Sequence, residues 1–414
     1  MLELFFGDRA VPQRLKANLL ACYFESFAAL VTGLGYSQST VQMQLRLLAD
    51  LGRWLTRNAL GVQDLGLGVA DGFIDQRRRS GGVRRGEAHT VCLFLDHLRA
   101  EGVIPYPEPK VDGSALGRLK SRYEDYLRKE RGLSPVTGSR YWLFLRHLLH
   151  ERFGDGPLRT RELKPDDITR FLLRHAPCGT PKEAQLMVSA LRSFFRFLFQ
   201  RGETERDLSA AVLPVPTWRL AEVPKYLKPT EVDRLLAACD RTTCVGRRDS
   251  AVILLLVRLG LRAGEVVTLE LGDIDWRAAE IIVRGKGSFH DRLPLPQDVG
   301  AALAAYLSTD RLPCATRRVF LRTRAPHGGF HHASTVSTIV RRALERAQLN
   351  PPNKGAHLLR HSLATGMLRN GASLAEIGQI LRHRIPNTTE IYAKVDVDGL
   401  RSIARPWPKT GGVR

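Results

Sequence analysis

Apolar residues recur at three- and four-residue steps along most of this chain, the spacing of one buried helix face. In residues 1–104, Leu45, Leu48 and Leu51 follow the segment Gly35-Tyr-Ser-Gln-Ser-Thr40. In residues 114–212, Trp142, Leu145 and Leu148 follow Gly132-Leu-Ser-Pro-Val-Thr137, at a constant offset of 97. Leu65 and Phe73 are echoed by Leu163 and Phe171 at an offset of 98, and Phe94, Leu98 and Gly102 by Phe194, Leu198 and Gly202 at 100. A Ser or Thr ahead of each run supplies an N-cap. The pattern predicts two related bundles of four or five helices, an internal duplication that drifts through small loop insertions.

The period changes in the third block, residues 225–401. Pro229-Thr-Glu-Val-Asp233 opens an amphipathic helix, and a strongly apolar one runs from about 249 to 259 and ends at Gly260. Ile274-Asp-Trp276, a turn at Arg277-Ala-Ala279, Ile281-Ile-Val283 and Arg292-Leu-Pro-Leu295 then read as a short three-stranded antiparallel sheet. Helices are expected near 300–307, 335–347, 358–370, 374–381 and 387–392. Proline-rich stretches at 102–113 and 213–224 divide the blocks, because proline removes a donor and restricts its predecessor. The expected fold class is mainly α with a small antiparallel sheet in the last block (α+β). Residues 402–414 are expected to be a tail, with Val397, Leu400 and Ile403 around its start as a possible apolar stripe against a neighbouring protomer.

Charge sharpens this picture. The 414 residues carry 63 Lys and Arg against 42 Asp and Glu, a net charge of +21, which points to a nucleic-acid partner. Of the basic residues 51 are Arg, so an Arg-softened surface is the bland alternative. The six cysteines form no CxxC pair or zinc-spaced cluster and suit a reducing cytosol. No apolar run reaches the ~18–20 residues that span a membrane, and residues 1–10 lack the apolar core of a signal peptide.

The chemistry-bearing residues lie in the third block. Arg262, Lys286, His357, Arg360, His383 and Tyr392 combine cations and imidazoles with one phenol nucleophile. Singly, each has a bland reading as cap, hairpin turn, core histidine or packing residue. Together they suit attack on a phosphodiester, whose transition state spreads negative charge over oxygens that arginine's planar donors match. Arg262 and Arg360 suit two edges of one phosphate. His357 and Arg360, three apart, share a helix face. Lys286, between glycines, suits a general acid at the leaving oxygen, and Tyr392 suits covalent catalysis.

The third block, from about Tyr226 to Val397, resembles the catalytic domain of the tyrosine recombinase (phage integrase) family. The likeness runs through Arg248-Asp249, Gly260-Leu-Arg-Ala-Gly-Glu265, Gly285-Lys-Gly287 with Arg292-Leu-Pro-Leu-Pro296, His357-Leu-Leu-Arg-His361, Leu381-Arg-His383 and Thr388-Thr-Glu-Ile-Tyr392. The six catalytic positions of the family all find the expected residue type. Residues 114–212 resemble its helical, SAM-like core-binding domain through Leu133–Thr137, Tyr141 and Ser189–Phe195. Residues 1–104 depart from it, standing as a second helical module where many integrases carry a small arm-binding domain.

The resemblance implies a site-specific DNA recombinase of integrase or transposase type. It would join strands through a 3′-phosphotyrosine and a Holliday junction, with no cofactor, metal or ATP. The implied partners are double-stranded DNA carrying specific sites, three further copies in a homotetramer on synapsed DNA, and other recombinases or accessory DNA-binding proteins. The implied location is the bacterial cytoplasm, at the nucleoid. Thr137, Tyr141, Ser189 and Arg192 are the candidate DNA contacts of the second block. The rival readings are a type IB topoisomerase and a non-catalytic DNA-binding accessory subunit.

Overall fold

The computed structural model describes residues 5–6, 13, 15–82, 84, 86–107, 112–215, 223–285, 290–385, 388–395 and 401. The chain is mostly helical with one three-stranded sheet, as the pattern of apolar positions predicts. It divides into two compact units, one of Met1–Tyr106 with Glu222–Arg414 and the other of Pro107–Ala221.

In the first block the described α-helices are α1 (Ala21–Gly33), α2 (Gln38–Arg57), α3 (Leu67–Arg79) and α4 (Glu87–Ala100). In the second they are α5 (Ala115–Lys129), α6 (Pro135–Phe153), α7 (Pro165–His175) and α8 (Pro181–Gln200). The two blocks share their local chemistry. Ser37 caps α2 by accepting from the Thr40 N–H, and Ser134 caps α6 by accepting from the Thr137 N–H. A 3-10 turn precedes the third helix of each, at Val62–Asp64 and Thr160–Glu162. Gly35 and Gly132 both enter their capped helices from positive φ, +84° and +60°. Each block closes its own core: Phe24, Phe27, Leu45, Leu48 and Phe94 in the first, and Tyr123, Leu145, Leu148, Phe194 and Phe197 in the second. In the second, Tyr123 meets Phe194 edge-on at 5.3 Å, the geometry the ring quadrupole favours.

The third block is built around α10 (Cys244–Arg258), whose residues Ala251 to Val257 are all buried. A helix apolar on every side must be surrounded. It packs against α9 (Pro229–Ala237), α11 (Ala263–Thr268), α12 (Gln297–Thr309), α13 (Ala333–Arg346) and α14 (Ala356–Arg369). At one end of α10, Arg248 donates to the Asp249 carboxylate and to the Leu321 carbonyl, so this pair is a buried structural link. The sheet runs β1 (Ile274–Asp275), β2 (Glu280–Arg284), β3 (His290–Pro294), antiparallel, with Ile281 opposite Leu293 and Val283 opposite Asp291. Ile281 and Val283 point into the core, the alternation expected of a half-covered strand.

α15 (Leu374–Ile380) and a 3-10 segment, Glu390–Val395, complete the described fold. The last element differs from the α-helix expected near 387–392; its Tyr392 N–H closes on Thr389, three residues back. Ala364, Ile377, Leu381, Tyr392 and Val395 form a small apolar cluster of their own. The first block touches the third within their shared unit: the His327 N–H donates to the Leu34 carbonyl at 2.8 Å. Among the described residues no helix is long and apolar enough to cross a membrane. Val397, Leu400, Ile403 and the tail lie outside the described residues.

Candidate active site

The site forms where three chain turns meet over α14. The first is Gly260-Leu-Arg262, ahead of α11. Arg262 is the N-cap of that helix, and the Glu265 carboxylate reaches back to accept from the Arg262 N–H at 2.8 Å. The other carboxylate oxygen accepts from the Arg262 guanidinium at 2.7 Å. One glutamate thus fixes both the backbone and the side chain of Arg262, whose side chain stays 44% exposed.

Arg360 comes from α14 and is 1% exposed. Its guanidinium donates to the carbonyls of Gly260 and Leu381, so one side chain ties two turns together. Gly260 permits this at φ +58°, where an added Cβ would lie 2.8 Å from Leu381 Cδ2 and 3.0 Å from Leu363 Cδ2. Burial, followed by the nearby Arg262 and Arg382, pulls the Arg360 pKa down to about 10. It remains charged at neutral pH.

His383 follows α15. Burial, then the charges of Arg360 and Arg262, push its pKa down to about 4, so its ring is neutral at pH 7. Its Nδ1 lies 2.8 Å from the Thr389 hydroxyl, and the ring is parallel to that of Tyr392, 6.5 Å between centroids. Tyr392 is 1% exposed. Burial raises its phenol pKa to about 12, with Arg360 opposing. The phenol oxygen sits 2.9 Å from His361 Nδ1. His357 stands edge-on to His361 at 4.4 Å.

Of the six residues singled out in the sequence, the fold brings Arg262, Arg360, His383 and Tyr392 into one neighbourhood, with His357 one ring away. Lys286 lies outside the described residues. Sequence reasoning passed over His361, Glu265 and Arg382, the last of which donates to Glu265 at 2.8 Å. The HxLRH spacing puts His361 one turn beyond His357, a signal for a shared face but not for a bond to Tyr392.

The candidate contacts of the second block sit on α6 and α8. Thr137 is half-buried in the first turn, its hydroxyl 2.9 Å from that of Ser134. Tyr141 is half-buried against the local core. The exposed Ser189 hydroxyl donates to the Gln185 carbonyl at 2.9 Å, and the half-buried Arg192 donates twice to the Val212 carbonyl, at 3.2 and 2.9 Å.

The site gathers the cations Arg262, Arg360 and Arg382 around a neutral His383. Such a cluster favours an anion, and a phosphodiester has the charge and the oxygens to satisfy it. Comparison with known proteins agrees. Residues 225–398 match the model described as "Phage integrase family", and residues 121–202 the "Phage integrase, N-terminal SAM-like domain". The chain is 42% identical over 392 residues to the Sinorhizobium fredii protein y4rA, named as an integrase/recombinase, covering 94% of this chain and 95% of that one. It is 30% identical to "Tyrosine recombinase XerC" of Oceanobacillus iheyensis, over 70% of this chain and 96% of the other. Among solved structures, the XerH site-specific recombinase bound to a palindromic difH substrate matches with a TM-score of 0.56 at 19% identity, over 75% of this chain and 92% of that one.

Proposed function

Because the chain belongs to the phage integrase family of tyrosine recombinases, we propose that it cuts and rejoins duplex DNA at specific sites through a 3′-phosphotyrosine at Tyr392. The observation that carries this reading is a phenol packed against a cationic pocket, Arg360 and His383 beside it and Arg262 at the pocket's exposed edge.

The Tyr392 oxygen attacks the scissile phosphorus, and the bond from phosphorus to the 5′-oxygen breaks. His361 is the acceptor within hydrogen-bond reach of the phenol proton. A raised phenol pKa of about 12 makes such an acceptor necessary at neutral pH, since almost no phenolate is present. Arg262 and Arg360 stabilise the charge spread over the non-bridging oxygens, and Lys286 returns a proton to the departing 5′-oxygen. The 5′-hydroxyl of a partner duplex then attacks the phosphotyrosine and releases Tyr392. The phosphodiester energy is held in the tyrosine linkage, so rejoining draws on neither ATP nor a metal. DNA must open the packing around Tyr392 for attack, because the phenol is buried in the free chain.

The second block holds the recombination site through the start of α6 and the middle of α8, with Thr137, Tyr141, Ser189 and Arg192 as contacts. Four copies on two duplexes exchange strands in pairs through a Holliday junction. Residues 1–104, 114–212 and 225–401 act as an accessory helical module, a core-binding module and the catalytic domain. The enzyme works at the bacterial nucleoid. Tyr392→Phe is expected to bind a nicked site taken from the DNA flanking the gene as wild type does, while forming no covalent adduct. Undiminished adducts would refute the assignment. Relaxation of supercoiled DNA lacking any such site, by monomers, would mark a topoisomerase instead.

A further inference from the structure

The turn after α15 contains a residue that its backbone does not call for. The helix ends in a Schellman motif: the Arg382 N–H bonds the Gln379 carbonyl at 2.9 Å, and the His383 N–H bonds the Gly378 carbonyl at 2.8 Å. That motif puts Arg382 in the left-handed region, φ +54°. Glycine serves there without steric penalty, whereas a Cβ-bearing side chain is strained. Strain of this kind persists where the surrounding structure fixes the residue in place.

The side chain is indeed committed. The Arg382 side chain is 6% exposed, and its guanidinium donates at 2.8 Å to the Glu265 oxygen that also caps the Arg262 N–H. The backbone carbonyl of Arg382 accepts from the Arg262 guanidinium at 3.4 Å. One residue therefore grips Arg262 twice, directly through its carbonyl and indirectly through the shared carboxylate. Its Nε is buried without a hydrogen-bond partner among the described residues, 3.8 Å from the Asp291 carboxylate of β3.

We propose that Arg382 is a positioning residue of the strand-cutting site, which balances the charge of Glu265 so that Arg262 keeps its aim for the scissile phosphate. Without Arg382, the Glu265 carboxylate is balanced by Arg262 alone. Arg262 is then drawn onto the carboxylate, and the pocket loses one unit of positive field. The reach of that field is visible at the neighbours, since Arg382 is among the cations that lower the pKa values of Arg360 and His383. Arg382 touches no reacting atom in this scheme; it acts through Arg262.

The proposal rests on the reading of Tyr392 as nucleophile, so the test measures both. Single-turnover adduct formation on a nicked duplex from the DNA flanking the gene is followed for wild type, Tyr392→Phe, Arg382→Gly, Arg382→Gln and Arg382→Lys. Affinity for the same duplex and the melting temperature are measured for each. Arg382→Gly relaxes the turn and removes the charge, which separates a cap from a positioning residue. Arg382→Gln and Arg382→Gly are expected to slow adduct formation by about 10- to 100-fold, below the full loss of an oxyanion donor. Their affinities should stay within about threefold of wild type, and Arg382→Lys should regain part of the rate because it restores the charge. A wild-type rate in Arg382→Gly or Arg382→Gln overturns the proposal. So does a rate loss matched by equal losses of affinity and of melting temperature in all three variants. Failure of wild type to form any adduct refutes the Tyr392 reading, and the Arg382 proposal with it.

Discussion

Gly260→Ala tests how closely the fold and the chemistry are tied. At φ +58° an alanine pays roughly 1–2 kcal/mol for the left-handed conformation. Its Cβ would lie 2.8 Å from Leu381 Cδ2 and 3.0 Å from Leu363 Cδ2. Leu381 is fully buried and has little room to yield, so overpacking adds about 1–3 kcal/mol. The stiffer unfolded chain returns about 0.4–1 kcal/mol. The net loss is about 1–4.6 kcal/mol, a large part of ordinary protein stability. Gly260 also offers the carbonyl that Arg360 holds, so the strain is delivered to the Arg360 guanidinium. Backbone amide exchange of the α14 segment 356–369, read by mass spectrometry, should accelerate by roughly 10- to 1,000-fold at neutral pH. Adduct formation should fall at least about tenfold at a temperature where the chain is still folded. Exchange within about twofold of wild type, with an unchanged cleavage rate, would show that Gly260 is not wedged between these leucines and does not anchor Arg360.

Other outcomes follow from the same geometry. His361→Ala should slow adduct formation by about 10²- to 10⁴-fold at neutral pH, with the deficit shrinking as pH rises toward the Tyr392 pKa of about 12; a deficit that ignores pH would remove His361 as proton acceptor. His383 has a folded pKa of about 4, below its ordinary 6.5. The native state therefore prefers the neutral ring, and its stability is complete above pH 6.5 and falls as pH drops toward 4. Denaturation of His383→Asn across that window should show a flatter pH dependence than wild type, and an identical one would contradict the burial argument. Tyr392→Phe should lose the alkaline destabilisation that wild type shows between pH 10 and about 12, where the unfolded phenol ionises before the buried one. Residues 1–104 carry 12 Lys and Arg against 10 Asp and Glu. Deleting them should leave cleavage of a minimal site intact and change the salt slope of DNA affinity by less than about two; a larger fall would make this block a major phosphate binder.

Much of the fold was legible because local chemistry decides it. Ser37 and Ser134 cap the helices that their positions predict, and Ile281 and Val283 bury the strand face that their alternation marks. The cations and the phenol of the site were legible as a set because their types suit one reaction. What sequence could not convey is long-range. Arg382 and Glu265 are 117 residues apart, and the Arg382 turn reads as an ordinary helix end until its φ is seen. His361 and Tyr392 are 31 apart, and nothing in the spacing brings their polar atoms to 2.9 Å. The three blocks read as successive modules, yet the first and third form one compact unit, joined in part by a backbone bond from His327 to Leu34 that no pattern announces. The net charge of +21 belongs almost wholly to the second and third blocks and the segments beside them, because the first is close to neutral. A DNA-reading role for that block therefore has little charge behind it.

The most direct test of the central claim is to trap the protein on a nicked site from the DNA flanking the gene, digest the adduct, and sequence the DNA-bearing peptide by mass spectrometry. The account predicts one modified residue, Tyr392, joined to the 3′-phosphate of the cut strand, with a free 5′-hydroxyl left behind. An adduct on any other side chain, or one joined through the 5′ end, would contradict it.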